Sequence, residues 1–206
     1  LYTPSKPLSL IIFNALFHSV SAFCNAGFSL YSNSLIDFQF NYPIMLTISA
    51  LIILGGLGFP ILFNLSQRFL SSKKSPLKMQ TSLAIKVTLG LIIVGTAFIY
   101  LSEKTNSLAD YTFLEQLSIS FFQSVTARTA GFNTFDIDLF HQSSILCLII
   151  LMIIGASPVS TAGGIKTTTF GLIFISFVNI LKSSYRFDYN KKTISHQSIL
   201  NAYATL

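Results

Sequence analysis

Three observations predict an all-α polytopic membrane protein whose repeated unit is a helix, a re-entrant loop and a second helix. Charged residues are 10% of the 206 and the mean hydropathy is +0.65, whereas about a quarter of a water-soluble domain is charged. The apolar residues, 51% of the chain, are gathered into long runs separated by short polar stretches, a pattern of helices and not of a barrel. One segment also occurs twice. Phe17-His-Ser-Val-Ser-Ala returns as Phe122-Gln-Ser-Val-Thr-Ala 105 positions later, and the Ala-Gly-Phe that follows each copy, from Ala26 and from Ala130, returns after 104. A repeat of about a hundred residues is one structural unit used twice.

Residues 8–24 are apolar but interrupted by Asn14, His18, Ser19 and Ser21. As a helix they rise about 25 Å at most, short for a span and suited to a half-crossing that leads into a loop. Tyr31 to Asn41 is polar, and Pro43 opens a run to Leu65 that is long enough to span, with proline in the first turn where its missing N–H does no harm. Inside that run Gly55-Gly-Leu-Gly58-Phe-Pro60 predicts helix packing and a kink. Thr81 to Leu101 is the next span, and Tyr111 to Arg128 repeats the half-crossing pattern. From Ser143 to about Leu181 the apolar segment is almost twice what a span needs. The excess is an interruption, Gly155-Ala-Ser-Pro-Val-Ser-Thr-Ala-Gly-Gly-Ile-Lys166. Irregular backbone at membrane depth persists only where protein or water surrounds it, so this loop faces a cavity or a packed interior.

Charge orients these elements. Arg68, Lys73, Lys74 and Lys78 follow the first span, and Lys182, Arg186, Lys191 and Lys192 follow the last against Asp188 alone. The other two connections hold Glu103, Asp110, Asp136 and Asp138 against Lys104. The positive-inside rule makes the basic segments cytoplasmic, so both repeated loops enter from the outer face. This topology accounts for the net charge of +6, which is therefore not read as nucleic-acid binding. Cys24 and Cys147 have no metal or redox spacing and are assigned to packing. His18, His141 and His196 are dispersed, without metal-ligand spacing, and His18 stands in the place of Gln123 in the other copy, which favours polar helix packing. The chain opens on Leu1 and stops at Leu206 as another apolar segment begins, so it reads as part of a longer protein.

A cation stripped of water needs oxygens at fixed distances, and backbone carbonyls supply them without full charges. Turning successive carbonyls to one axis takes dihedrals that glycine tolerates. Asn25-Ala26-Gly27-Phe28 and Thr129-Ala130-Gly131-Phe132 both set small residues and a glycine after a short helix, then an aromatic that would wedge the loop outward. The C-terminal dipole end of each short helix would favour a cation. Gly163-Gly-Ile-Lys-Thr167 fails as a phosphate loop, because Ile165 separates glycine from lysine and no glycine stands at the required earlier position.

In these residues the chain resembles the Trk/Ktr/HKT superfamily of potassium transporters, whose members carry four helix, pore-loop, helix repeats with a degenerate potassium-channel filter. Residues 122–133 look like the third repeat's filter and 17–29 like the second's. Gly155 to Lys166, followed by Thr167-Thr-Thr-Phe170, resembles the intramembrane loop that gates conduction in the family, and Gly55 to Pro60 matches the second repeat in place and kind. The likeness covers essentially the whole chain. It divides the chain into the second repeat without its first helix (1–70), the third repeat (71–185), and a cytoplasmic loop with the start of the fourth (186–206).

The resemblance implies potassium uptake across the cytoplasmic (inner) membrane, with the potassium ion as substrate and no cofactor bound by this chain. It makes Asn25, Ala26, Gly27, Phe28, Thr129, Ala130, Gly131 and Phe132 the filter, and Gly155, Ser157, Ser160, Gly163, Gly164 and Lys166 the gating loop. The first filter departs from the second by one extra residue and by Asn25 where Thr129 stands. The partners implied are the lipid bilayer, a second copy in a homodimer with one pore per subunit, and a cytoplasmic nucleotide-binding regulatory subunit. Arg128 would support the filter by bonding loop carbonyls or Glu115, or else snorkel to the outer surface. Lys166 would gate the pore or anchor the loop. Two other classes stand beside transport: an intramembrane hydrolase pairing Ser157 or Ser160 with Lys166, and a non-transporting membrane anchor, which would need no filter glycines.

Overall fold

A computed structural model describes residues 7–70, 77–181, 188–189, 192–193 and 196–204. Its regular structure is helical except for a hairpin of two two-residue strands. Helix α1 (Leu8–Phe23) is followed by α2 (Tyr42–Leu57), α3 (Phe59–Leu70), α4 (Met79–Glu103), α5 (Phe113–Thr126), α6 (Gln142–Ile153), α7 (Thr167–Leu181) and α8 (His196–Ala204). Strands β1 (Asp188–Tyr189) and β2 (Lys192–Thr193) pair antiparallel between α7 and α8. Lys73, Lys74, Lys182, Arg186 and Lys191, on which the orientation rests, lie outside the described residues.

Local chemistry sets several of these ends. The Asn41 side chain accepts from the Ile44 N–H at 3.3 Å ahead of α2, where Pro43 occupies the first turn. At α5 the Glu115 carboxylate accepts from both the N–H and the hydroxyl of Thr112, each at 2.8 Å, and so closes a capping box. The half-crossing helices expected over 8–24 and 111–128 are α1 and α5, and the interruption at 155–166 separates α6 from α7.

The run from Pro43 to Leu65 is not one kinked span. It breaks at Gly58 into α2 and α3, bent by 102°. Gly58 takes φ 77° and ψ 158°, and a side chain there would stand 2.7 Å from the Val159 carbonyl and 3.0 Å from that of Pro158. Only glycine turns the chain in that space. Gly55 lets α2 close on the last turn of α1, the close helix contact expected there. A Cβ on it would fall on the Phe23 carbonyl, and the Gly56 and Gly55 carbonyls accept from Ser157 N–H at 3.0 Å and Thr161 N–H at 3.4 Å. The glycine motif receives the end of α1 and the 155–166 loop.

Among the described residues α4 alone is long and apolar enough to cross a bilayer unaided, while α1, α6 and α7 are shorter apolar helices. Helix α4 is the axis of the fold: α5, α6 and α7 pack on it, and α2 joins α1 to α5. Ala22, Ile48, Ile52, Ile92, Phe122 and Phe132 lock the two repeats together in one core cluster. Outward faces are apolar as well, with Leu8, Ile12, Leu16 and Val20 exposed on α1 and Leu89, Ile93 and Leu101 on α4. An exterior of this kind suits lipid, since soluble monomers rarely carry large contiguous apolar patches.

Candidate functional site

The two repeated loops meet. A Cβ on Gly131 would lie 3.6 Å from the Gly27 Cα, and one on Gly27 would lie 3.0 Å from the Gly131 Cα and overlap the Ala130 carbonyl. Helices α1 and α5 both end where their loop begins, at Phe23 and Thr126. Each loop carries the same pair of left-handed residues, Asn25 (φ 51°) with Gly27 (φ 69°) and Thr129 (φ 69°) with Gly131 (φ 85°). In both loops a left-handed residue thus alternates with one of ordinary hand, a pattern found in neither a helix nor a strand. Asparagine tolerates a left-handed conformation better than most other non-glycine residues, whereas the same conformation is strained for β-branched threonine. Two copies of it at matching positions therefore reflect a geometry that both loops require.

The extra residue of the first copy is absorbed before the glycine. The Ala26 N–H reaches back five residues to the Ser21 carbonyl at 2.9 Å, whereas the Ala130 N–H reaches back four to Thr126 at 3.0 Å. Backbone hand is in register again from Asn25 and Thr129 onward. Past the glycine the copies agree in a further bond. The Ser21 hydroxyl donates to the Phe28 carbonyl at 2.8 Å, and the Thr126 hydroxyl donates to that of Phe132 at 2.8 Å. Sequence reasoning did not single out Ser21 and Thr126, although the shared Ser/Thr of the repeat was the signal. The loops are also tied beyond the aromatics, where the Asn133 N–H donates to the Ser34 hydroxyl at 3.0 Å and its carbonyl accepts from the Leu35 N–H at 2.9 Å.

The two aromatics differ. Phe132 is fully buried in the shared core, whereas Phe28 is 69% exposed. His18 is buried, with its Nδ1 2.7 Å from the Asn14 carbonyl and its Nε2 3.1 Å from the Ser29 hydroxyl, and it stacks on Tyr31 at 5.1 Å. Its place is packing behind the first loop, as expected. Its counterpart Gln123 is equally buried, but neither amide atom has a hydrogen-bond partner. A cavity of about 380 Å³ lies along the second loop, lined by Asn25, Gln123, Thr126, Gly131, Leu148 and Met152 among others.

The interruption between α6 and α7 docks under both loops. The Asn25 amide donates to the Thr161 hydroxyl at 2.8 Å, and that hydroxyl donates to the Phe23 carbonyl at 3.0 Å. The Gly163 N–H donates to the Thr129 hydroxyl at 3.2 Å. Thr161, absent from the sequence-based gating set, is thus its most connected side chain. Gly155 and Gly164 close the loop's own neck, where a Cβ on either would strike the other strand of the loop.

Arg128 is buried and does not snorkel, its Nε lacks a hydrogen-bond partner, and the Glu115 carboxylate is engaged by Thr112 instead. The Lys166 ammonium donates to the Ala162 carbonyl at 3.0 Å. No Ser–Lys nucleophile pair forms: the Ser157 hydroxyl lies 3.0 Å from that of Thr167, and the buried Ser160 hydroxyl has no hydrogen-bond partner. Among the described residues no group of His, Cys, Asp and Glu is placed to hold a metal.

Fold and site define a class: an all-helical membrane protein built from a duplicated unit of helix, glycine loop and broken helix, with the break in the second unit's helix folded against both loops. Residues 6–203 match the family model TrkH, a cation transport protein, and the chain belongs to that family. It is accordingly placed among transporters and not among enzymes. It is 36% identical over 197 residues to the Ktr system potassium uptake protein B of Vibrio alginolyticus, a match over 95% of this chain and 43% of that protein. It is also 36% identical over 192 residues to the potassium/sodium uptake protein NtpJ of Enterococcus hirae, covering 93% of this chain and 42% of the relative. The chain thus spans about two fifths of the length of these curated relatives. The crystal structure of the potassium transporter TrkH from Vibrio parahaemolyticus superposes with a TM-score of 0.73 at 21% identity, over 92% of this chain and 41% of that one, a likeness of fold.

Proposed function

We propose that this chain forms part of the ion path of a potassium uptake protein of the cytoplasmic membrane. Asn25 to Phe28 and Thr129 to Phe132 supply two sides of a carbonyl-lined selectivity filter, and the 155–166 loop gates it from below. One observation carries the reading: the two copies present the same pair of left-handed residues, with their glycines face to face. Carbonyl oxygens turned to one axis hold a dehydrated cation. The names of the relatives, potassium uptake or potassium/sodium uptake proteins, supply the substrate class.

The remaining assignments follow from that reading. Residues 1–70 and 71–185 are two successive repeats of a multi-pass protein, the basic segments face the cytoplasm, and further repeats complete the filter. The buried charge of Arg128 beside the second loop supports the filter. A second copy of the chain and a cytoplasmic regulatory subunit that binds nucleotides are its proposed partners, and the path itself needs no cofactor.

The test is uptake of rubidium and sodium by the full-length protein in cells without their own potassium uptake, wild type beside Gly131→Ser. Wild type restores rubidium uptake, and the variant loses it or admits sodium. Identical behaviour of the two would remove Gly131 from any filter and return the anchor reading to consideration.

A further inference from the structure

Asn25 and Thr129 hold matching places in the two loops, and each is the non-glycine residue held in a left-handed conformation, at φ 51° and φ 69°. Both side chains also turn to the same object. Asn25 donates to the Thr161 hydroxyl at 2.8 Å, and Thr129 accepts from the Gly163 N–H at 3.2 Å. Thr161 adds a second tie, its hydroxyl donating to the Phe23 carbonyl at 3.0 Å at the end of α1. One hydroxyl thus bridges a filter side chain and the backbone that leads into the filter.

Backbone held in a sparsely populated region persists only where its surroundings over-determine it. At Asn25 and Thr129 those surroundings include the 155–166 loop. That loop is seated in turn on the broken end of α2, through Ser157 N–H to the Gly56 carbonyl at 3.0 Å and through Gly58 under Val159. If the loop leaves its seat, both left-handed residues lose a restraint together.

We infer that Thr161, which lies outside the filter sequences, is a positioning residue for ion selectivity, holding the first filter loop in shape through Asn25 while Gly163 holds the second through Thr129. The inference rests on the filter and gate reading above and adds to it that loop seating and filter geometry are one coupled equilibrium. Coupling of this kind is reciprocal, so an ion that fits the filter favours the seated loop.

The experiment measures initial rates of rubidium and sodium uptake by the full-length protein in cells lacking their own potassium uptake. The variants are Thr161→Val, Thr161→Ser, Asn25→Gly, the Thr161→Val/Asn25→Gly double and Gly131→Ser. Valine keeps the shape of threonine and removes the hydroxyl; glycine keeps the left-handed backbone and removes the amide. Asn25→Gly, which loses one ordinary hydrogen bond, is expected to lower the rubidium-to-sodium ratio about fivefold, and Thr161→Val, which also loses the tie to Phe23, at least as much, while Thr161→Ser stays within about twofold of wild type. The double variant is expected to be no worse than Thr161→Val alone, since valine already removes the bond that Asn25→Gly breaks, together with the tie to Phe23. A wild-type ratio in Thr161→Val, or a double in which the two losses multiply, overturns the inference. If Thr161→Val does not reach the membrane, Asn25→Gly decides alone, and a wild-type ratio there overturns it. Failure of the underlying filter reading shows separately, as a Gly131→Ser protein that behaves like wild type.

Discussion

Gly27 and Gly131 face one another across the two loops, and their surroundings are unequal. A Cβ on Gly131 would find only the Gly27 Cα, at 3.6 Å, whereas one on Gly27 would overlap the Ala130 carbonyl. Gly131→Ala therefore bears chiefly the strain of a side chain in the left-handed region, about 1–2 kcal/mol, and retains measurable rubidium uptake with a lowered preference over sodium. Gly27→Ala adds a backbone collision to the same strain and abolishes uptake. Equal effects of the two substitutions in one uptake assay would contradict this asymmetry.

The hydroxyls of Ser21 and Thr126 each hold the carbonyl of the aromatic after the glycine, at 2.8 Å. Thr126 is buried, so Thr126→Val leaves the Phe132 carbonyl unpaired in the interior, a cost of about 1–3 kcal/mol. The expected result is a lower melting temperature of the detergent-solubilised protein together with increased sodium entry, and recovery of both in Thr126→Ser.

Glu103, at the C-terminal end of α4, is fully buried and gathers four donors: Asn106 and Ser107 at 2.8 Å each, the His141 N–H at 2.9 Å, and the Ser144 hydroxyl. His141 and Ser144 belong to the start of α6, so this carboxylate fastens the first half of the broken helix to the central one. A carboxylate only accepts. Glu103→Gln turns one acceptor into a donor facing two donors, and it should lower stability by about 2 kcal/mol, seen as a lower melting temperature at unchanged rubidium-to-sodium ratio.

Gly58 and Gly90 make a contrasting pair. Gly58 is at φ 77° beneath the Val159 carbonyl, so Gly58→Ala prevents the bend between α2 and α3 and should eliminate folded protein from the membrane. Gly90 lies inside α4, and a Cβ there would meet nothing within 4 Å. Gly90→Ala should raise stability by about 0.5–1 kcal/mol through helix propensity, readable as a higher melting temperature.

Much of the fold was legible because its signals are local. Low charge and long apolar runs define a membrane chain, polar interruptions divide the half-crossing helices from the spans, and the copies at Phe17 and Phe122 declare the repeat. The helix ends at Phe23 and Thr126 and the break before Gly155 lie close to where those signals put them. The bend at Gly58 was less legible, since a glycine followed by Phe-Pro is compatible with a kinked helix or a sharp turn. The choice depends on Val159, a hundred residues away, filling the inside of the corner.

By itself, then, the sequence determined the chain's solvent, its repeat, and which glycines and small residues could leave a helix, because hydropathy, periodicity and the absence of a Cβ are properties of neighbouring residues. Tertiary structure alone decided that Gly27 and Gly131 face each other, that Thr161 bonds Asn25, and that Glu103 serves α6. Those relations join residues far apart in sequence, and hydrogen bonds form wherever packing brings a donor to an acceptor, a condition no local pattern encodes.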